Sequence, residues 1–185
     1  MKKWLCIFTL FLTAYSSNIA LKDSLFLLPV KQITPIASES APILVLKTDL
    51  ADYLNQVGLV YRVSETQVIQ AQQNRWADKI SDQISQHLIN DLRTKQIVYW
   101  PVQLDSALAL NNQTQLLVRF SKFNGEYTGT AELSGEWLLI DEQGKLINRE
   151  YFQINKPLKT EGYEQLVFSL SEGLEELAST IARQF

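Results

Sequence analysis

The chain has 185 residues, 46% of them hydrophobic and 20% charged, with only seven glycines and five prolines. That composition excludes a disordered or low-complexity chain, and the length suits one domain able to bury a core without disulfides or a structural metal. The net charge of −3 leaves no basic footprint for nucleic acid.

One cysteine, Cys6, and one histidine, His87, exclude an intrachain disulfide, a Cys/His zinc site and a CxxC redox pair. A Ser-His-Asp triad would have to be built on His87. No Gly-rich phosphate loop, HExxH or nucleophile elbow is present. No cofactor is implied, and an enzyme is the minority reading.

Residues 1–16 have the layout of a secretory signal: Lys2 and Lys3, an apolar stretch from Trp4 to Leu12, then small and polar residues to Ser17. The apolar stretch is short for a membrane span, which needs about 20 residues. Leu12-Thr13-Ala14-Tyr15-Ser16-Ser17 is laid out like a lipoprotein cleavage box with Tyr15 at the position of the lipidated cysteine, and tyrosine has no thiol to acylate. Residues 17–24 form a tether and residues 25–185 the domain.

Within the domain, Leu25 to Leu28 is a small apolar run stopped by Pro29, and Lys31 to Pro42 reads as a loop. Ile43 to Leu46 and Leu59 to Val63 are expected strands, Asp49 to Gln56 a turn containing Tyr53, and Gln67 to Ala71 a short partner strand. Trp76, Ile80, Ile84, Leu88 and Leu92 recur every four residues and predict a helix with Asn74 as its N-cap, His87 lying at its boundary or surface. Ile97 to Trp100 is an expected strand ended by Pro101.

The second half predicts an antiparallel three-strand meander. Leu116, Val118 and Phe120 alternate, Asn124-Gly125 gives a hairpin signal, and Ala131, Leu133, Gly135, Trp137 and Leu139 share one face. Trp137 therefore points inward. Glu132 and Glu136 lie about 13 Å apart on the other face at about 3.3 Å per residue, too far for a carboxylate pair sharing a proton, and read as solvated residues. After the turn at Asp141 to Gly144, Leu146 to Ile154 returns. A helix then runs from Tyr163 through Leu166, Leu170, Leu174 and Leu177 to Ile181, with Glu172, Glu175 and Glu176 on its wet face. The expected fold is α+β: one domain with an antiparallel or mixed sheet and two amphipathic helices packed on it.

An ordered set of fragments carries a resemblance. Ala51-Asp52-Tyr53-Leu54, Gly58-Leu59-Val60-Tyr61-Arg62 and Asn74-Arg75-Trp76-Ala77 come first. Phe123-Asn124-Gly125-Glu126-Tyr127, Leu133-Ser134-Gly135-Glu136-Trp137-Leu138-Leu139, Gly162-Tyr163-Glu164-Gln165-Leu166-Val167 and Ile181-Ala182 follow. Together they resemble the PqiC/YmbA family of auxiliary lipoproteins in ABC-type and MCE-type transport systems. Two positions depart from the family pattern: Ala51 stands where proline is usual, and Tyr15 where the lipidated cysteine belongs.

The resemblance implies a non-enzymatic periplasmic component at the outer membrane. It would dock an MCE-domain partner anchored in the inner membrane, support envelope integrity and join a path for phospholipid or other hydrophobic cargo. It also implies a homo-oligomeric ring continuing the partner's channel. The alternatives are a stand-alone periplasmic lipid carrier, which requires an apolar cavity of about 300–1,000 Å³, and a periplasmic hydrolase. Asp52, Tyr53, Leu54, Tyr61 and Arg62 are the candidate partner-binding residues, because aromatic residues and arginine dominate interface hot spots. Trp76, Trp137 and Tyr163 are candidate core positions.

Overall fold

The computed structural model describes residues 22–30, 41–95, 98–104 and 113–185. The signal segment with Cys6 and Tyr15, most of the tether and most of the 31–42 loop lie outside these residues. The elements are β1 (Ser24–Phe26), β2 (Ile43–Leu50), β3 (Gly58–Arg62), β4 (Val68–Trp76), α1 (Ile80–Arg93), β5 (Trp100–Gln103), β6 (Thr114–Glu126), β7 (Thr130–Ile140), β8 (Leu146–Pro157) and α2 (Tyr163–Ala182).

The expected meander is present and forms one side of the sheet. β7 lies between β6 and β8, antiparallel to both, with Trp137 opposite Val118 on one side and Glu150 on the other. The far side of β6 is divided between two strands. β2 runs parallel to it from Leu44 opposite Thr114 to Leu50 opposite Phe120, and β3 takes over at Tyr61 opposite Gly125 and Arg62 opposite Glu126. A register shift in β6 between Phe120 and Lys122 marks the handover. β5 continues the sheet beyond β2 in parallel; β4 and then β1 continue it beyond β3. Among the described residues the sheet is therefore mixed, with eight strands, and with two helices it makes the domain α+β.

Both helices bury their apolar stripes on one face of this sheet. α1 packs over β2 and β5, α2 over β6, β7 and β8, and the helices touch each other. Leu133, Trp137, Leu170, Leu174 and Ile84 are at most 1% exposed. At Gly173 a Cβ would sit 2.4 Å from Leu133 Cδ1, so the absent side chain lets α2 approach β7. Among the described residues no helix is long and apolar enough to cross a membrane.

The structure corrects several expectations. Asn74 to Trp76 belong to β4 rather than to a helix, and α1 begins only at Ile80, with Lys79 rather than Asn74 at the cap position. The i, i+4 spacing from Trp76 is coincidental: Asn74 to Trp76 pair with β1, and the Trp76 N–H donates to the Val57 carbonyl at 2.7 Å. Pro101 lies inside β5 rather than ending the strand, which is possible because β5 is a sheet edge and needs no donor on its free side. Asn124-Gly125 is strand, and the hairpin turns at Tyr127 to Gly129, where Gly129 has φ +87°. His87 is 3% exposed and lies between the helices rather than at the surface.

Candidate partner-docking surface

The sheet face opposite the helices carries a cluster that begins with Arg62 at the end of β3. Its guanidinium donates to both Glu132 oxygens, from Nε at 3.0 Å and Nη2 at 2.8 Å, and Nη2 also meets Glu126 Oε1 at 3.0 Å. Lys122 Nζ reaches Glu132 at 3.1 Å and Asn124 Nδ2 reaches it at 3.2 Å. Glu126 is further held by the N–H of Thr128 at 2.9 Å and by its hydroxyl. The expectation that Glu132 is a solvated strand residue is thus corrected, since it is 6% exposed. Burial alone would raise its pKa, but the hydrogen bonds from Arg62, Lys122 and Asn124 outweigh that and hold it below the ordinary carboxylate value. The same hydrogen bond to Glu132 raises the pKa of Arg62. Two cations face two buried carboxylates, so the cluster ties β3, β6 and β7 together with no net charge.

Two tyrosines stand out beside this base. Tyr53, in the turn after β2, donates its hydroxyl to the Ser121 carbonyl at 2.7 Å, at the register shift of β6, and stays 37% exposed. Burial and the nearby Glu132 carboxylate raise its pKa. Tyr127, in the β6–β7 turn, is 48% exposed and lies 5.4 Å from the Arg62 guanidinium. A cleft of about 650 Å³ opens on the sheet beyond, lined by Asp49, Ala51, Arg119, Ser121, Glu136 and Tyr151 among others.

The candidate residues are distributed unevenly. Asp52 and Tyr53 are exposed, whereas Leu54 is 3% exposed and belongs to the core. Arg62 is held within the cluster just described. Tyr61 lies over Gly125, where a Cβ would sit 2.3 Å from its ring, and its hydroxyl donates to the Glu126 carbonyl at 2.9 Å. Burial raises its pKa. With Ile69, Tyr127, Leu158, Tyr163 and Leu166, Tyr61 lines a second cleft of about 550 Å³. Trp76 and Trp137 are buried in the core; Tyr163 is half-buried against it at the start of α2.

Sequence reasoning missed Lys122, Asn124, Glu126, Glu132 and Tyr127 as members of this surface. The available signal was the alternation in β7, which places Glu132 and Thr130 on one face. Their partners follow only from a register that includes the irregularity at Ser121.

The single histidine makes one catalytic-looking trio. His87 Nε2 is 2.7 Å from Ser171 Oγ, and Nδ1 is 3.0 Å from Asp91 Oδ2, though without hydrogen-bond alignment. Ser171 lies inside α2, is 5% exposed and also contacts the Pro29 carbonyl at 3.3 Å. A mid-helix serine has neighbouring N–H groups already engaged and no donors free for an oxyanion. Neither cleft above reaches it. The trio joins α1, α2 and the segment around Pro29. Among the described residues no cluster of three or more metal-ligating side chains is found.

Comparison with known proteins is consistent along the chain. The profile of the ABC-type transport auxiliary lipoprotein component matches residues 26–182. The intermembrane transport lipoproteins PqiC of Escherichia coli strain K12 and of Shigella flexneri are each 33% identical over 190 residues, covering 100% of this chain and 97% of theirs. The crystal structure of an uncharacterized protein, 29% identical, superposes with a TM-score of 0.73 over 88% of this chain and 98% of its own. A Xanthomonas campestris protein only 13% identical shares the fold, with a TM-score of 0.65 over 86% of this chain and 92% of its own.

Proposed function

The chain belongs to the family of ABC-type transport auxiliary lipoprotein components, and from that premise we propose that it is a non-enzymatic docking component for an MCE-domain protein. It works in the periplasm near the outer membrane and receives a partner anchored in the inner membrane. Phospholipid or another hydrophobic cargo passes through the complex, and the contact supports envelope integrity. Residues 1–16 direct export, residues 17–24 tether the domain, and residues 25–185 bind.

One arrangement carries the reading: Tyr53 and Tyr127 stand exposed beside an ion-paired base that fixes the strands beneath them. Rigid aromatic groups with a polar end lose little conformational entropy on binding and bury much area, which is the make-up of an interface hot spot. Asp52 lies at the rim. Arg62 acts from below, by holding β3 to β6 and β7.

The test is binding of the purified chain to the periplasmic parts of the host's MCE-domain proteins. Tyr53→Ala and Tyr127→Ala should each weaken it by about tenfold, or about 1.4 kcal/mol, with unchanged melting. Folded variants that bind as the parent does would remove this surface from the interface. The second cleft, about 550 Å³ with an apolar floor of Ile69, Leu158 and Leu166, favours one further reading, direct contact with an acyl chain. Native mass spectrometry after extraction should then find lipid on the parent and none on Leu166→Trp.

A further inference from the structure

Four strands set one row of side chains straight across the sheet face opposite the helices. Asp49 of β2 lies opposite Arg119 of β6, Arg119 opposite Glu136 of β7, and Glu136 opposite Tyr151 of β8. The next row, Leu50, Phe120, Gly135 and Phe152, faces the core. Phe120 and Phe152 are 2% and 8% exposed, and a Cβ on Gly135 would meet the Phe152 ring at 3.0 Å. Beyond that row stand the small residues Ala51, Ser121 and Ser134, with Gln153 opposite Ser134. The cleft of about 650 Å³ is thus a trough floored by backbone, between a charged and aromatic wall and a low polar one. With strands about 4.8 Å apart it runs about 14 Å across the sheet, and its walls, two residues apart along each strand, stand about 7 Å apart.

The walls select the ligand. Among the described residues Arg119 is the one cation lining the trough, and it already meets Glu136 at 3.2 Å. Asp49 beside it makes no ion pair among the described residues. The lining therefore carries one net negative charge, which disfavours a phosphate or another anion. An acyl chain would strip water from Asp49 and Glu136 without replacing their hydrogen bonds. A peptide strand adds at a sheet edge, whereas β6 and β7 beneath the trough are paired on both sides. An uncharged polyol with an apolar face meets all three conditions. Tyr151 is 75% exposed, the highest value among the large hydrophobic side chains described, and the Arg149 guanidinium braces its ring from 5.8 Å. An exposed ring held in place is a platform for the C–H face of a sugar. Asp49 and Glu136 can accept from hydroxyl pairs in charge-assisted hydrogen bonds, and Ser134 and Gln153 offer donors and acceptors on the other wall.

We propose that this trough binds an uncharged linear glycan, a strand of the cell wall, with one sugar ring on Tyr151 and neighbouring hydroxyls on Glu136 and Asp49. The site goes beyond partner docking, since Tyr53 and Tyr127 do not line the trough. Recognition of the sugar does not depend on docking; the cell-wall source rests on the periplasmic location proposed above. The contact attaches the domain to the wall without the acyl group that Tyr15 cannot carry.

The full chain, purified, is titrated with the β-1,4-linked tetramer of N-acetylglucosamine while its amide resonances are followed, and is cosedimented with purified sacculi. Saturable shifts should appear at Phe120, Gly135 and Phe152 and not along α2. Tyr151→Ala removes the platform and Ser134→Leu fills the trough; each should weaken both readouts by about tenfold or more with unchanged melting. No saturable binding of the tetramer, or binding indifferent to Tyr151→Ala, would overturn the proposal. A chain that binds the tetramer but stays in the supernatant with sacculi would overturn the cell-wall source. Binding of an MCE-domain protein is measured separately, so failure of the docking reading leaves these results standing.

Discussion

Replacing Arg62 with methionine separates what its charge does from what its stem does. The methionine keeps the apolar volume against β3 and removes the guanidinium from between Glu126 and Glu132, whose side chains are 5% and 8% exposed. Breaking a fully buried ion pair by removing one partner costs about 3–5 kcal/mol, because the remaining charge is left without compensation. Here the arginine side chain is itself 19% exposed and Lys122 still reaches Glu132 at 3.1 Å, so part of that penalty is relieved. The expected loss is about 2–3 kcal/mol, a fall in Tm of about 4–10 °C for a domain of this size. Urea unfolding followed by tryptophan fluorescence reads it directly. The midpoint should fall by about 1 M with an unchanged slope. A loss below about 0.5 kcal/mol would mean that the cluster is no more than a surface ion pair, and the account of a fixed base under Tyr53 and Tyr127 would go with it.

The depressed pKa of Glu132 makes stability pH-dependent. Its contribution is complete above the unfolded carboxylate value, about 4.3, and is lost as pH falls through the lower native value. Between pH 7 and pH 3 the parent should therefore lose more unfolding free energy than Glu132→Gln, and equal losses would contradict the assignment. Trp137→Ala should cost about 3–5 kcal/mol, since the ring is 0% exposed between sheet and helices. Trp137→Phe should cost much less, because it also removes an indole N–H that has no partner among the described residues; equal costs measured by denaturant titration would refute that. Tyr15→Cys supplies the thiol that lipoprotein processing acylates, so palmitate labelling and outer-membrane partition should rise relative to the parent. Identical labelling of the two would contradict the reading of residues 12–17 as a cleavage box.

The legible parts of the sequence were those where one face is buried and the other wet. β7 alternates without a break, so its inward register and the burial of Trp137 follow from the pattern. α2 likewise follows from its apolar spacing. Failures fell where tertiary pairing overrode local preference. Asn74 and Trp76 carry a helical spacing, yet β1, far away in sequence, recruits them as strand. Asn124-Gly125 has turn chemistry, but Gly125 is needed for its lack of a side chain under Tyr61. His87 and Ser171 meet across 84 residues, beyond any local signal. The Arg62 cluster was invisible for a related reason: its members are 64 and 70 residues from Arg62, brought together by a three-strand register.

The central claim is that the face around Tyr53 meets an MCE-domain protein, and a photocrosslinking residue placed at Tyr53 in living cells tests it most directly. Irradiation followed by mass spectrometry of the adduct should identify an MCE-domain partner, and a crosslinker at the exposed Phe168 of α2, on the opposite side of the sheet, should not capture it. Equal capture at both positions, or adducts at Tyr53 only with unrelated envelope proteins, would contradict the account.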